Sequence, residues 1–193
     1  MNTSFRAKLK VVCCALVTLV LTGCILTPTG LEKEDVSLFS LQQLAAQNQA
    51  CQCKTTQQMA RWGGKILSAT ALADKMKLEI LSMPVLPITA QPNLQVKPDG
   101  RFIAYLPQFI DPEILKDQYI TVKGILTGYQ QGKIDLHDYE YPMVQGQHYQ
   151  LWHLVAEEYY DADEMADWRK ERAKGFLFWK PDPKVRFKLA KYE

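Results

Sequence analysis

The chain has 193 residues, with 23 Lys and Arg against 21 Asp and Glu, and Arg6, Lys8 and Lys10 stand in a first segment that holds no acid. Without residues 1–23, 20 basic side chains face 21 acidic ones, a net charge of −1, which excludes a general electrostatic pull toward nucleic acid. The 170 residues that remain suit one domain with a substantial core, and they contain no internal repeat and no second apolar span.

In chain order, the three basic residues are followed by an apolar run from Val11 to Leu21. That length suits the hydrophobic region of an export signal and falls short of the ~20 residues needed to span a bilayer. Leu21-Thr22-Gly23-Cys24 closes the run as a lipobox, in which small residues fit a lipoprotein signal peptidase. The expectation is cleavage between Gly23 and Cys24 and diacylglycerol transfer to the Cys24 thiol. Several acyl chains, at ~0.8 kcal/mol per buried methylene, make such anchoring effectively permanent. Ile25 follows the anchor; an Asp there would resemble an inner-membrane retention signal, so Ile25 points to the outer membrane.

Residues 24–36 read as a lipidated tether, broken by Pro28 and Gly30 and solvated by Glu32, Lys33, Glu34 and Asp35. From Ser37 to Gln49, Leu38, Leu41, Leu44 and Ala45 recur at helical spacing. Cys13 and Cys14 leave with the signal, while Cys51 and Cys53 remain as a Cys-x-Cys pair in a compartment where disulfides persist. A disulfide, free thiols and the start of a metal site all stay open, although no neighbouring His or Cys completes a ligand set.

The main body has strand character. Met59–Leu72 carries Arg61-Trp62-Gly63-Gly64-Lys65-Ile66-Leu67, where paired glycines predict a bulge or a sharp bend. Lys77–Leu86 is a second strand ending at prolines, with Leu78, Ile80 and Ser82 on one side. Pro98-Asp99-Gly100 is a turn into a third strand, Arg101–Leu106. Asp111-Pro112-Glu113 predicts an N-cap and a short helix to Asp117. A fourth strand covers Tyr119–Tyr129, a turn covers Gln130–Lys133, and a last strand covers Gln147–Val155. Three strands, a short helix and two strands, with glycine at the bends, predict a mainly β domain over residues 37–155. The expected form is an OB-fold-like, five-stranded, partly open barrel with flanking N- and C-terminal helical segments.

These residues also resemble the Slp family of outer-membrane lipoproteins, named for starvation induction. Arg61-Trp62-Gly63-Gly64-Lys65-Ile66, Gly100-Arg101-Phe102, Phe109-Ile110-Asp111-Pro112, Tyr119-Ile120-Thr121-Val122-Lys123-Gly124, Tyr141-Pro142 and Leu151-Trp152-His153-Leu154 occur in the family's order. The resemblance covers roughly residues 36–155. It departs at Gln57, where the family commonly has a glycine, and Cys51 and Cys53 are not expected family features. It implies an outer-membrane address and no established catalytic activity.

The residues themselves offer little chemistry. No Gly-x-Ser-x-Gly elbow, phosphate-cradling loop or His-Glu-x-x-His is present. His148 and His153, five apart on a strand, face opposite ways and cannot share a ligand. Asp135, His137, Asp138 and Glu140 cluster near a turn, which admits a weak cation site or, equally well, a solvated turn. Phe102 and Tyr105 likewise point to opposite faces of one strand, so core packing accounts for the aromatic residues better than a stacking platform does. The expectation is therefore a non-enzymatic lipoprotein, without catalytic residues, cofactor or metal, acting in envelope integrity or stress adaptation. The alternative is a periplasmic module binding a small molecule, glycan or lipid on the barrel face. The expected partners are the membrane, through lipidated Cys24, and the lipoprotein processing and sorting machinery. No nucleic acid is expected, and the sequence names no protein partner.

Residues 156–193 read as a charged helix and an aromatic, basic tail. Glu157, Glu158, Asp161, Asp163, Glu164 and Asp167 precede Arg169, Lys170, Arg172 and Lys174, matching a helix macrodipole, and Gly175 stops the helix. Phe176-Leu177-Phe178-Trp179 then admits two readings: an apolar hook on the domain, or a membrane contact through Phe176, Phe178 and Trp179 beside Lys180 and Lys184.

Overall fold

The computed structural model describes residues 27–175 and 179–192. The export signal, Gly23, Cys24, Phe176 and Phe178 lie outside them. Six strands form one sheet: β1 (Met59–Ala71), β2 (Met76–Met83), β3 (Gly100–Leu106), β4 (Tyr119–Ile134), β5 (His137–Tyr159) and β6 (Lys184–Lys191). Three helices accompany them, α1 (Leu41–Cys51), α2 (Pro112–Leu115) and α3 (Ala162–Ala173). Among the described residues no helix is long and apolar enough to cross a membrane.

The sheet order is β3-β2-β1-β4-β5-β6, and neighbours in that order are antiparallel. An additional parallel pairing joins β3 to β5 through Ile103–Met143, Ala104–Val144 and Tyr105–Gln145. The first five strands therefore pair in a circuit, β1-β2-β3-β5-β4-β1. One side of the sheet encloses the main core. Trp62 meets Phe102 edge-on with ring centroids 5.4 Å apart, among Met76, Leu78, Ile80, Ile120, Val122 and Val144. Leu41 and Leu44 of α1 and Leu115 of α2 complete it.

Local chemistry explains the helix boundaries. Ser40 caps α1 by accepting from the Gln43 N–H at 3.1 Å. The helix therefore starts at Leu41 rather than Ser37, while Leu38 forms a bridge to Ala60. Asp111 caps α2 ahead of Pro112, and Asp161 caps α3, which has acids in its first turn and Lys170 and Arg172 in its last.

Four expectations change. The domain has six strands rather than five, because the basic tail supplies β6: Val185, Phe187 and Leu189 alternate with Lys184, Arg186 and Lys188 and pair with β5. The turn expected at Gln130–Lys133 is strand, and the chain reverses at Asp135, which takes a left-handed φ of 53°. β5 consequently starts at His137 instead of Gln147. The paired glycines do not form the β1 bulge, which falls between Ile66 and Ser68. They allow close approach instead: a Cβ on Gly64 would lie 1.9 Å from the Leu81 carbonyl oxygen. Finally, residues 27–36 are held against the sheet through buried Pro28 and Leu31 rather than hanging free, while Lys33, Glu34 and Asp35 are exposed as expected.

Candidate functional site

The second face of the sheet has its own buried layer. Because side chains alternate along a strand, Arg61 and Gly63 of β1 point away from Trp62 and the main core. Their register partners on β4 are Lys123 and Thr121. Over them lie the amino-terminal segment 27–36, the loop between β2 and β3, and the end of β6. Leu31, Ala90, Trp152 and Leu189 are buried there.

Two cations clasp the amino-terminal segment. Arg61 is only 1% exposed, and its Nη1 donates to the Leu31 carbonyl at 2.9 Å. Lys123 Nζ donates to the Glu32 and Glu34 carbonyls at 3.0 and 3.1 Å. Burial pushes the Arg61 guanidinium below its ordinary value, and the Glu34 charge opposes that shift. The Phe39 ring lies 5.6 Å from the guanidinium carbon. Glu32 is held below the usual carboxylate range by its own backbone N–H and by that of Gly30, whose nitrogen lies 3.1 Å from Oε1. Gly30 in turn sits against the His148 ring, where a Cβ would approach Nδ1 to 2.4 Å.

The loop after β2 is equally fixed. Thr121 Oγ1 donates to the Ala90 carbonyl at 2.5 Å and accepts from Trp152 Nε1 at 3.1 Å. Ala90 holds φ at 58° while buried. Leu86 N–H bonds Gln91 O at 2.8 Å, and Gln91 Nε2 reaches Leu189 O on β6 at 3.2 Å. Thr27 Oγ1 donates to the Ile88 carbonyl at the tip of this loop. Thr27 is three residues after Cys24, and three extended residues reach at most ~11 Å.

A cleft of about 380 Å³ lies elsewhere, between the β1–β2 turn and the β4–β5 hairpin. Lys77, Glu79, Gln130, Lys133 and Tyr141 line it. Arg101 Nη1 meets Glu79 Oε1 at 2.8 Å, and the Tyr141 hydroxyl lies 3.3 Å from the same oxygen. The Glu79 hydrogen bond holds Arg101 above its usual value, while burial pushes Tyr141 up. These groups satisfy one another and offer a polar binding surface.

The other sequence-selected residues are scattered. Cys51 and Cys53 form a disulfide with Cα atoms 5.2 Å apart, at the exposed end of α1. Trp179 is 96% exposed, beside Lys180, whose ammonium stands 3.8 Å over the Tyr160 ring. Glu140 pairs with Lys54 and Asp138 with Lys133 at 3.9 Å. Among the described residues no three His, Cys, Asp or Glu side chains converge as metal ligands. Sequence reasoning missed Arg61 and Lys123. Their alternation against apolar neighbours places them on the second face, but nothing local says that face is covered.

Fold and site together define a mainly β domain that holds its own amino-terminal segment against the sheet. The model for the outer membrane lipoprotein Slp family matches residues 21–184, and the chain belongs to that family. It is 45% identical over 160 residues to an uncharacterized protein of Haemophilus influenzae, covering 83% of this chain and 84% of that one. It is also 34% identical over 137 residues to the uncharacterized lipoprotein YeaY of Escherichia coli, covering 71% and 69%. With the E. coli outer membrane protein Slp it shares 33% identity over 97 residues, covering 50% and 51%. No solved structure matches the chain.

Proposed function

We propose that this protein is acylated on Cys24 after cleavage behind Gly23 and acts as a lipid-anchored outer-membrane lipoprotein with its domain on the periplasmic side. Its role is non-enzymatic, in envelope integrity or stress adaptation. The observation that carries this reading is the clasp of Arg61 and Lys123 on the Leu31, Glu32 and Glu34 carbonyls. It keeps the folded domain within a few residues of the lipobox cysteine, where a free leader would have no reason to be held. The strand circuit and the short helix between β3 and β4 support an OB-type barrel with β6 added at one edge. Mass spectrometry of the full-length product extracted from outer membranes tests the anchor. A mass beginning at a triacylated Cys24 is expected, whereas an unlipidated chain beginning at Met1 would refute the proposal.

A second reading, a periplasmic binding module, draws on the cleft between the β1–β2 turn and the β4–β5 hairpin. OB folds bind oligonucleotides and oligosaccharides beside the corresponding loops. The near-neutral domain disfavours nucleic acid and leaves a glycan, small molecule or lipid as the ligand class. Native mass spectrometry in mild detergent discriminates between the readings: a reproducible adduct lost with Lys77→Ala, a residue of the cleft, favours binding, and its absence favours the structural role.

A further inference from the structure

The β5–β6 ribbon is two-faced. On one side Lys184, Arg186 and Lys188 are matched by acids: Lys184 Nζ lies 2.8 Å from Glu164, and Arg186 and Lys188 each lie 2.7 Å from Glu157. On the other side Val185, Phe187 and Leu189 stand opposite Glu158, Ala156 and Leu154. Leu189 closes the buried layer, but Val185 is 55% and Phe187 63% exposed. Phe187 borders the same shallow depression as Leu86. Ile88, at the tip of the loop that contains Leu86, is 62% exposed. Grouped apolar exposure of this kind marks an interaction surface more than scattered single residues do.

Resting on the reading of Cys24 as the lipid site, we infer that Leu86, Ile88, Val185 and Phe187 form a membrane-docking face. Its occupant is the phospholipid leaflet that receives the acyl chains. The length of chain outside the described residues selects this occupant. Thr27 is bonded to the Ile88 carbonyl, so an acylated Cys24 lies within ~11 Å of Thr27 and the leaflet surface is within reach of the loop tip. The loop presents Ile88 rigidly, because the Thr121–Ala90 and Gln91–Leu189 bonds hold the chain after it, and backbone bonds from Leu86 to Gln91 and Ala90 tie the chain before it to them. Lys191 continues the register of Phe187 and Leu189 and is exposed; it suits anionic headgroups at the rim of an inserted apolar patch. The docked domain is thus oriented, with the β6 side toward the lipid and the polar cleft free.

The test uses the full-length protein purified from membranes and reconstituted into phosphatidylethanolamine–phosphatidylglycerol vesicles containing a diazirine-bearing phosphatidylethanolamine. After irradiation, peptides carrying Leu86–Ile88 and Val185–Phe187 are expected to hold several-fold more lipid label than those carrying Phe109 or Trp179, which are also exposed and apolar. The I88D/F187D variant is expected to keep its thermal midpoint and its acylated Cys24 while losing that label several-fold. I88D alone, at a loop tip, serves if the double variant does not fold. Equal labelling across all four peptides, labelling concentrated at Trp179, or cross-links from Phe187 to a second copy would each overturn the docking face. An unacylated Cys24 in the same digest overturns the lipoprotein reading with it, whereas an acylated Cys24 with an unlabelled patch sinks the docking face alone.

Discussion

Truncating Leu31 to alanine probes how the domain holds its anchor. Leu31 is wholly buried on the second face of the sheet, and removing a leucine side chain from such a site costs about 2–5 kcal/mol. The remaining grip on residues 27–36 comes from the Thr27 hydroxyl and from the carbonyl contacts of Arg61 and Lys123. These hydrogen bonds exchange with water when the segment lifts, so their net worth is about 0.5–1.5 kcal/mol for the Thr27 hydroxyl and about 1.5–3 kcal/mol for those from the two cations. The cost should therefore fall on local opening, because the segment can leave without separating any strand of the sheet. At 1.4 kcal/mol per tenfold, even the lower bound accelerates amide exchange over residues 27–36 about 30-fold. Exchange in β1 and β4 should stay nearly unchanged. Hydrogen–deuterium exchange of the full-length protein in vesicles reads both quantities at once. Unaltered exchange over 27–36, or equal acceleration throughout β1 and β4, would show that the segment is not a separately opening unit.

Other perturbations follow from the same geometry. Gly64→Ala forces a Cβ against the Leu81 carbonyl, and urea denaturation should show a loss at or above the top of the ~1–3 kcal/mol range for overpacking. Gln57 holds a left-handed φ of 59°; Gln57→Gly should raise the unfolding free energy measured in urea by up to ~1 kcal/mol, and a clear loss would contradict the strain. Glu157 sits below the usual carboxylate range because Lys188 and Arg186 hydrogen-bond to it. A depressed folded value means its stabilising effect is full above the unfolded value and fades as pH falls through the folded one. Protection over 184–191, taken relative to the intrinsic exchange rate at each pH, should therefore fall below roughly pH 4, and a flat protection profile would count against the pairing. Reducing Cys51–Cys53 releases a very short ring, so the unfolding free energy from urea denaturation should fall by no more than about 1–2 kcal/mol. The visible change should be fraying of the last turn of α1 by exchange.

The legible parts of the fold were those set by local chemistry. Met76, Leu78, Ile80 and Ser82 alternate with half-buried neighbours along β2, and the period alone marks that strand. Asp111 before Pro112 fixes the start of α2 in the same way. β6 was hidden because its apolar residues are spaced by lysine and arginine, which gives basic composition more weight than the period-two pattern of Val185, Phe187 and Leu189. The β4–β5 hairpin was misread because Gln130, Gln131 and Gly132 look like a turn, yet they continue the ladder opposite Tyr141, Glu140 and Tyr139. Its real turn needs a left-handed residue, supplied by Asp135 rather than by a glycine. Gln57 shows the reverse case: its positive φ gives a physical reason for the glycine expected there from the family resemblance. Cys24 was legible as a motif, but its setting was not, since no sequence pattern tells Arg61 and Lys123 which carbonyls they will meet.

That setting depends on an arrangement that would be unfavourable in isolation. Arg61 and Lys123 are direct cross-strand partners, and like charges in that position repel. Taking Arg61 out of water adds a desolvation cost that, among the described residues, no carboxylate within ion-pairing distance offsets. The three carbonyls of residues 31–34 supply the compensation, with Glu34 adding a favourable charge. When the segment lifts, water takes over both cations, so the cost falls on the docking of the segment and not on the pairing of the strands. A leader that merely tethered the domain could be lengthened or replaced at little cost. One that supplies acceptors to two adjacent buried or half-buried cations cannot, so inserting flexible residues between Leu31 and Val36 should quicken amide exchange over residues 27–36, whereas inserting them before Thr27 should change only the distance from domain to lipid.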